Sequence, residues 1–223
     1  MDNSYMYSRK PWPNTVSNNI SDTPDYHVII NSNRPVSSNQ TQQPTNIRLP
    51  IYYSADIPIE LAKSLEGKYF IGVAENLKFG DATGAWARLY NPPDSGVNLH
   101  VYTWTVSDVI SSSIRVQMWF NGTPPGIIQE SLSVTPGNTA FVPLPEPKVK
   151  LEYAVGVRGY PEGGVRAYGR SGPPGATVFA IENGAIIFPP GGSFLVYISN
   201  PETPTLPAAG RIAFAWWEEP IQP

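Results

Sequence analysis

The chain has no cysteine among its 223 residues. Disulfides and thiolate metal centres are excluded, so packing and hydrogen bonding must hold the protein together. Histidine is almost as scarce, with only His27 and His100. Neither an HExxH motif nor a pair of histidines at metal-ligand spacing can be drawn from them. Asp, Glu, Lys and Arg make up only 15% of the chain, against about 25% in an average soluble protein. A weakly charged surface repels its own copies little, which permits close self-association. The net charge of −3 and the lack of any basic run longer than Arg9-Lys10 argue against nucleic acid, whose phosphates need a concentrated basic surface. No apolar run approaches the ~18 residues of a spanning helix, so no membrane span is expected. The first residues, MDNSYMYSRKPWPNTVS, lack the apolar core of a secretion signal. The expectation is a protein made in the cytoplasm without a signal peptide.

What the chain has in quantity is punctuation, with 25 prolines and 19 glycines. Four Pro-Pro pairs occur, in YNPPDSGVNL, GTPPGII, GPPGATV and IIFPPGGSFLVYISN. Collagen would need glycine at every third position, and that period is missing. Proline cannot donate to a ladder and collects at strand ends and edges, so the pairs predict the corners of a β-protein.

Alternation supplies the strands between the corners. KYFIGVA alternates Tyr69, Ile71 and Val73, while GAWARLYN sets Ala85, Ala87 and Leu89 against Trp86, Arg88 and Tyr90. SIRVQMWF places Ile114, Val116, Met118 and Phe120 on one face. KVKLEYAVGV places Val149, Leu151, Tyr153, Val155 and Val157 on one face. VNLHVYTWTVS, SFLVYIS and RIAFAWW read as further strands, and Asn183-Gly184 inside TVFAIENGAIIF is a hairpin signal. ADIPIELAKSLEGKY is the one helix signal, with Asp56 as cap, Pro58 near the first turn and Gly67 at the end. Nine strands and a short helix predict an all-β, antiparallel, jelly-roll-like sandwich.

Residues 1–50 differ. Asn, Ser, Thr and Gln account for twenty-two of them, with six prolines, a composition that cannot offset its ordering entropy by burial. The expected organisation is a flexible polar arm over 1–50 and a single sandwich domain over 51–223. One island interrupts the arm: in DYHVIINS, Tyr26, Val28 and Ile30 alternate with His27 and Ile29. This short strand either docks on its own domain or is donated to the sheet edge of a neighbouring subunit.

Signs of catalysis are few. GxSxG, phosphate-loop and dinucleotide glycine patterns do not occur, and GRSGPPG lacks the lysine and following helix of a phosphate site. Glu218 and Glu219 are adjacent, so on a strand they point to opposite faces. Asp81 and Asp94 lack the spacing of a calcium loop. No catalytic, metal or cofactor residue is assigned, and the protein is read as non-enzymatic. Aromatics are the remaining lead, with six Trp, twelve Tyr and eight Phe. VNLHVYTWTVS has two buriable faces, Val97, Leu99 and Val101 against His100, Tyr102, Trp104 and Val106. An ordinary half-exposed strand would show one polar face. Trp86, Tyr102, Trp104, Trp119 and Trp217 are therefore the candidate ligand or partner contacts, while Tyr26, Val28 and Ile30 are the candidate subunit contacts.

The run GKYFIGVAENLKFGDATGAWARLYNPPDSGVNLHVYTWTVSD, followed by FNGTPPG and IIFPPGGSFLVYI, resembles an uncharacterised single-domain family of spore-forming Firmicutes over about residues 60 to 219. That resemblance implies a bacterial source and a spore context. A polar arm on a jelly roll also resembles, in architecture only, the subunits of endospore appendages. Those typically lock their fibres with cysteines, and their absence here puts covalent cross-linking out of reach. Together these readings lead to a structural or assembly protein of a spore surface or appendage, forming a homo-oligomer or filament by arm strand addition. Other spore-surface proteins or glycans would be further partners. The competing expectation is a carbohydrate- or receptor-binding sandwich, of spore or phage, using exposed aromatics.

Overall fold

The computed structural model describes residues 56–108 and 113–221. Tyr26, Val28 and Ile30 lie outside the described residues. Over 57–221 the chain forms one helix, α1 (Ile59–Leu65), and eleven strands among the described residues. These are β1 (Tyr69–Phe79), β2 (Gly84–Tyr90), β3 (Val97–Asp108), β4 (Ile114–Phe120), β5 (Gln129–Glu130), β6 (Val134–Pro136), β7 (Lys150–Val157), β8 (Val165–Gly172), β9 (Thr177–Phe188), β10 (Ser193–Ser199) and β11 (Ala208–Pro220).

All pairings are antiparallel, and eight strands pair as one long hairpin folded on itself. β1 pairs with β11, β2 with β10, β3 with β9 and β4 with β8. Rolling that hairpin up brings β11 beside β3 and β10 beside β4. The result is the jelly roll, with sheet orders β6-β1-β11-β3-β9 and β5-β7-β2-β10-β4-β8. β5, β6 and β7 are inserted between the innermost partners β4 and β8 and extend both sheets on one side. The core between the sheets holds Phe70, Leu77, Leu89, Leu99, Trp104, Met118, Phe194, Phe214 and Trp216, among others.

Three of the Pro-Pro pairs are corners of this roll. Pro92 and Pro93 separate β2 from β3, Pro173 and Pro174 separate β8 from β9, and Pro189 and Pro190 separate β9 from β10. Each closes a turn through the first proline's carbonyl, which accepts from Ser95, Ala176 and Gly192 respectively. The first and last of these corners pack together, with the Asn91 N–H donating to Gly192 O at 2.9 Å and Gly191 N–H to Asn91 O at 2.7 Å. The fourth pair is different. Pro124-Pro125 lies in the β4–β5 connection, and Pro125 O accepts from the Trp86 indole at 2.7 Å. Trp86, Ala154, Val157, Leu195 and Tyr197 form a second buried cluster there.

Strand 97–108 owes its two apolar faces to a β-bulge. Leu99 and Val101 are buried in the core, then Tyr102 is the extra residue between the pairs Trp216↔Val101 and Ala215↔Thr103. One added residue reverses every following side chain, so Trp104 and Val106 enter the same core. β1 does likewise around Asn76 (φ 55°), burying Phe70 and Ala74 before the bulge and Leu77 and Phe79 after it. Ahead of the bulge, Tyr69, Ile71 and Val73 alternate with buried Phe70, Gly72 and Ala74 and lie on the face away from the core.

The expected Asn183-Gly184 hairpin is not formed. Both residues have positive φ (50° and 71°), as a hairpin turn would need, yet both halves of β9 stay paired with β3. The segment instead opposes the β3 bulge. The single apolar face expected for 149–157 also breaks. Val149 and Leu151 enter the main core, Ala154 and Val157 join the Trp86 cluster, and Val155 is exposed. Gly156 (φ 59°) lies in that irregular stretch. α1 takes Pro58 rather than Asp56 as its N-cap and stops before Gly67 (φ 73°).

Candidate functional site

The five-stranded sheet carries an unusual outer face. In register across it run Val73, Ala213, Thr105 and Phe179, and beside them Ile71, Ala215, Thr103 and Ile181. Small side chains occupy the two central strands, and large apolar ones stand on β1 and β9. The result is a shallow trough about 14 Å across, three strand spacings of roughly 4.8 Å. Ile187 continues the β9 border opposite His100. Phe179, Ile181 and Ile187 are 55%, 55% and 51% exposed. A soluble protein normally exposes large apolar groups singly rather than in register.

An aromatic cluster lies alongside. The Trp217 ring stacks on His100 at 5.2 Å and 13°, and Tyr102 stands 6.2 Å from Trp217 and 5.8 Å from Tyr69. The Tyr102 hydroxyl donates to Glu60 of α1 at 3.2 Å. Burial, followed by Tyr102 and Glu60, pushes the Tyr69 phenol up to about 12. Lys63 and Lys68 fix α1 to β11 by pairing with Glu66 and Glu219, with Lys68–Glu66 at 2.7 Å. Exposed Ile57, Leu61 and Leu65 keep that end apolar as well.

Among the described residues β9 is also an edge of its sheet. It pairs only with β3, and twelve residues present their other side unpaired by any strand among the described residues. Two of its carbonyls accept from side chains outside β3: the Arg170 guanidinium of β8 donates to Phe179 O at 3.0 Å, and Asn91 Nδ2 donates to Phe188 O at 3.1 Å. Natural sheets blunt such edges with charge, proline or short length. From Thr177 to Ile181 β9 carries none of these.

The sequence alone belongs to a described family. The chain is a member of DUF6143, a family of unknown function. The match covers residues 15–223, so it starts within the polar segment and takes in Tyr26, Val28 and Ile30, where the sequence resemblance spanned only about 60 to 219. No curated protein and no solved structure matches.

In this DUF6143 chain the five aromatic candidates do not form one site: Tyr102 lies beside Trp217, Trp119 packs against the Trp86 cluster, and Trp104 is in the main core. Trp86 is buried under the Pro125 carbonyl. Trp104 is buried in the core, with its indole donating to Glu182 at 3.1 Å and Arg170 above its ring at 5.8 Å. Trp217 points away from the core, as its alternation with buried Trp216 requires, but it is covered, and a Cβ on Gly184 would fall 1.8 Å from its ring. These three are corrected as exposed contacts: the bulges and the β4–β5 connection bury them. Tyr102 and Trp119 are half-buried. Trp119 donates to Gln117 at 3.1 Å on the other sheet and packs against the Trp86 cluster.

The exposed apolar residues of β9, Phe179, Ile181 and Ile187, follow the alternation in TVFAIENGAIIF. Among the described residues, no group of three or more His, Asp or Glu side chains could hold a metal ion, and no helix is long and apolar enough to cross a membrane.

Proposed function

We propose that this DUF6143 protein is a non-enzymatic assembly subunit that self-associates by adding the strand around Tyr26, Val28 and Ile30 to β9 of another copy. The observation that carries the reading is β9 itself, a long edge of the sheet among the described residues, whose outward side chains Phe179 and Ile181 are large, apolar and exposed. An added strand would satisfy the free backbone groups, and its alternating apolar residues would extend the trough by one row. The segment 31–55 has contour to span about 80 Å at roughly 3.3 Å per residue, enough to leave one domain and reach the next. Donation of this kind is a head-to-tail contact, so copies link into rings or filaments. The sequence resemblance supports a spore-surface or appendage setting, with other spore-surface proteins as further partners.

Light scattering on full-length Phe179→Lys/Ile181→Lys tests the reading. Charge on an edge strand blocks pairing, and both side chains are already exposed, so thermal stability should hold while oligomers are lost. Oligomers of unchanged size would reject β9 as the acceptor.

A further inference from the structure

On the outer face of the six-stranded sheet, where β10 ends, a hollow of about 210 Å³ is lined by Thr83, Tyr160, Tyr197, Ser199, Pro201 and Pro204 among others. Tyr197 and Ser199 point outward because Val196 and Ile198, alternating with them, enter the core. Tyr160 is 52% exposed, its ring 5.3 Å from that of Tyr197 at 49°. The surroundings are held by short hydrogen bonds. Asn200 Nδ2 donates to the carbonyls of Thr203 and Leu206 at 2.9 and 2.8 Å, Ala82 N–H to Pro204 O at 3.0 Å, and the Tyr197 hydroxyl to Gly159 O at 2.9 Å. Such a rim is preformed rather than assembled by the ligand.

One polar group in this wall is unexplained by the fold. Ser199 is 7% exposed and its Oγ has no hydrogen-bond partner. Buried hydroxyls in folded proteins are nearly always partnered, and this one keeps its full capacity to donate and accept. Thr83 Oγ1 donates to Gly80 O at 2.5 Å, which leaves its lone pairs free to accept. No lining side chain carries a charge, so the complement is neutral. The volume admits a single ring, well short of a drug-sized ligand. An exposed tyrosine ring calls for an apolar CH face, and the serine and threonine hydroxyls call for hydroxyls.

We infer that this hollow binds one neutral sugar ring of a glycan, its CH face on Tyr160 and one hydroxyl on Ser199 Oγ. The inference goes beyond the assembly reading and does not rest on it, since β9 belongs to the other sheet.

The test uses full-length protein and the methyl glycosides of glucose, galactose, mannose and N-acetylglucosamine, titrated by calorimetry and by saturation-transfer NMR. Saturable binding of at least one is expected. Tyr160→Ala should weaken it about tenfold or more, and Ser199→Ala about tenfold, the loss of one hydrogen bond. Tyr160→Phe keeps the ring and should keep the affinity, which guards against a folding defect in Tyr160→Ala. Phe179→Lys should leave binding unchanged. Failure of all four glycosides to saturate would overturn the inference. So would binding indifferent to both Tyr160→Ala and Ser199→Ala, because the Ser199 hydroxyl would then be satisfied by water only.

Discussion

Removing the Glu218 carboxylate should unfasten one end of the sandwich. Glu218 sits on β11 of the five-stranded sheet, is buried, and accepts from three N–H groups. Lys148 N lies 2.9 Å from Oε2, Val149 N lies 3.0 Å from Oε1, and the Trp216 indole lies 3.1 Å from Oε1. The two backbone donors belong to the segment entering β7 of the opposite sheet, so this one carboxylate ties the sheets together. Glu218→Ala strands all three donors, each costing about 1–3 kcal/mol when left unmade. Relief of the buried charge's own desolvation offsets part of that, leaving a loss of about 3–5 kcal/mol. With a urea m-value of about 2 kcal/mol/M, the unfolding midpoint followed by tryptophan fluorescence should fall by about 2 M. Burial raises the carboxyl above its ordinary value, and the three N–H groups only partly oppose it. A raised carboxyl favours the folded state when protonated, so its stabilising share is complete at low pH and is lost as pH rises through the folded value. Glu218→Gln cannot titrate. The stability gap between wild type and Glu218→Gln should therefore narrow as pH rises. A loss under about 1 kcal/mol for Glu218→Ala would refute the three-donor account, and a gap that widens with pH would refute the dominance of burial.

Three further outcomes follow from the same geometry. Gly184→Ala puts a Cβ 1.8 Å from the Trp217 ring at φ 71°, so it should cost on the order of 3 kcal/mol or more and flatten the near-UV circular dichroism. Gly191→Ala has φ 84° but nothing within 4 Å, and should cost only the left-handed penalty of about 1–2 kcal/mol, so equal costs for the two would reject the Trp217 contact. Trp86→Phe removes the bond to Pro125 O and should cost about 2 kcal/mol; protease cleavage within 121–128 should rise, and unchanged protection there would contradict the covering role of that connection. Burial holds Tyr69, Tyr168 and Tyr197 at about 12, so their stabilising share is complete below about 10 and lost as pH climbs towards 12. Phenolate absorbance should show these three titrating late in the folded protein and with the rest in urea, and a single folded-state transition near 10 would count against it.

The jelly roll was readable because its signals are local and repeated. Alternation in GAWARLYN and SIRVQMWF gave the right core faces, and three Pro-Pro pairs stand at strand corners. Register was not readable. The extra residue at Tyr102 turns two apolar faces into one, and nothing in VNLHVYTWTVS distinguishes a bulge from a two-sided strand. Asn183-Gly184 carries true hairpin chemistry, yet the pairing of both β9 halves with β3 wins over the local turn preference. β8, VRAYGRSG, was missed because an exposed edge strand need not alternate. The burial of Trp86 was not readable for a related reason: a tryptophan's exposure depends on what a connection such as 121–128 lays over it. Ser199 ends β10 and Tyr160 lies in the β7–β8 connection, so only the fold brings them to one hollow, and no spacing in the sequence announces that.

Strand donation between copies is tested most directly by mixing two broken halves. Val28→Asp/Ile30→Asp disables the donor and leaves β9 intact, whereas Phe179→Lys/Ile181→Lys disables β9 and leaves the donor intact. Full-length wild type should form large oligomers or filaments by negative-stain electron microscopy and light scattering, and each variant alone should be monomeric. The equimolar mixture has one competent donor and one competent edge, so it should yield dimers and nothing larger. A mixture that stays monomeric, or a wild type that is itself monodisperse and monomeric, would contradict donation to β9 as the basis of assembly.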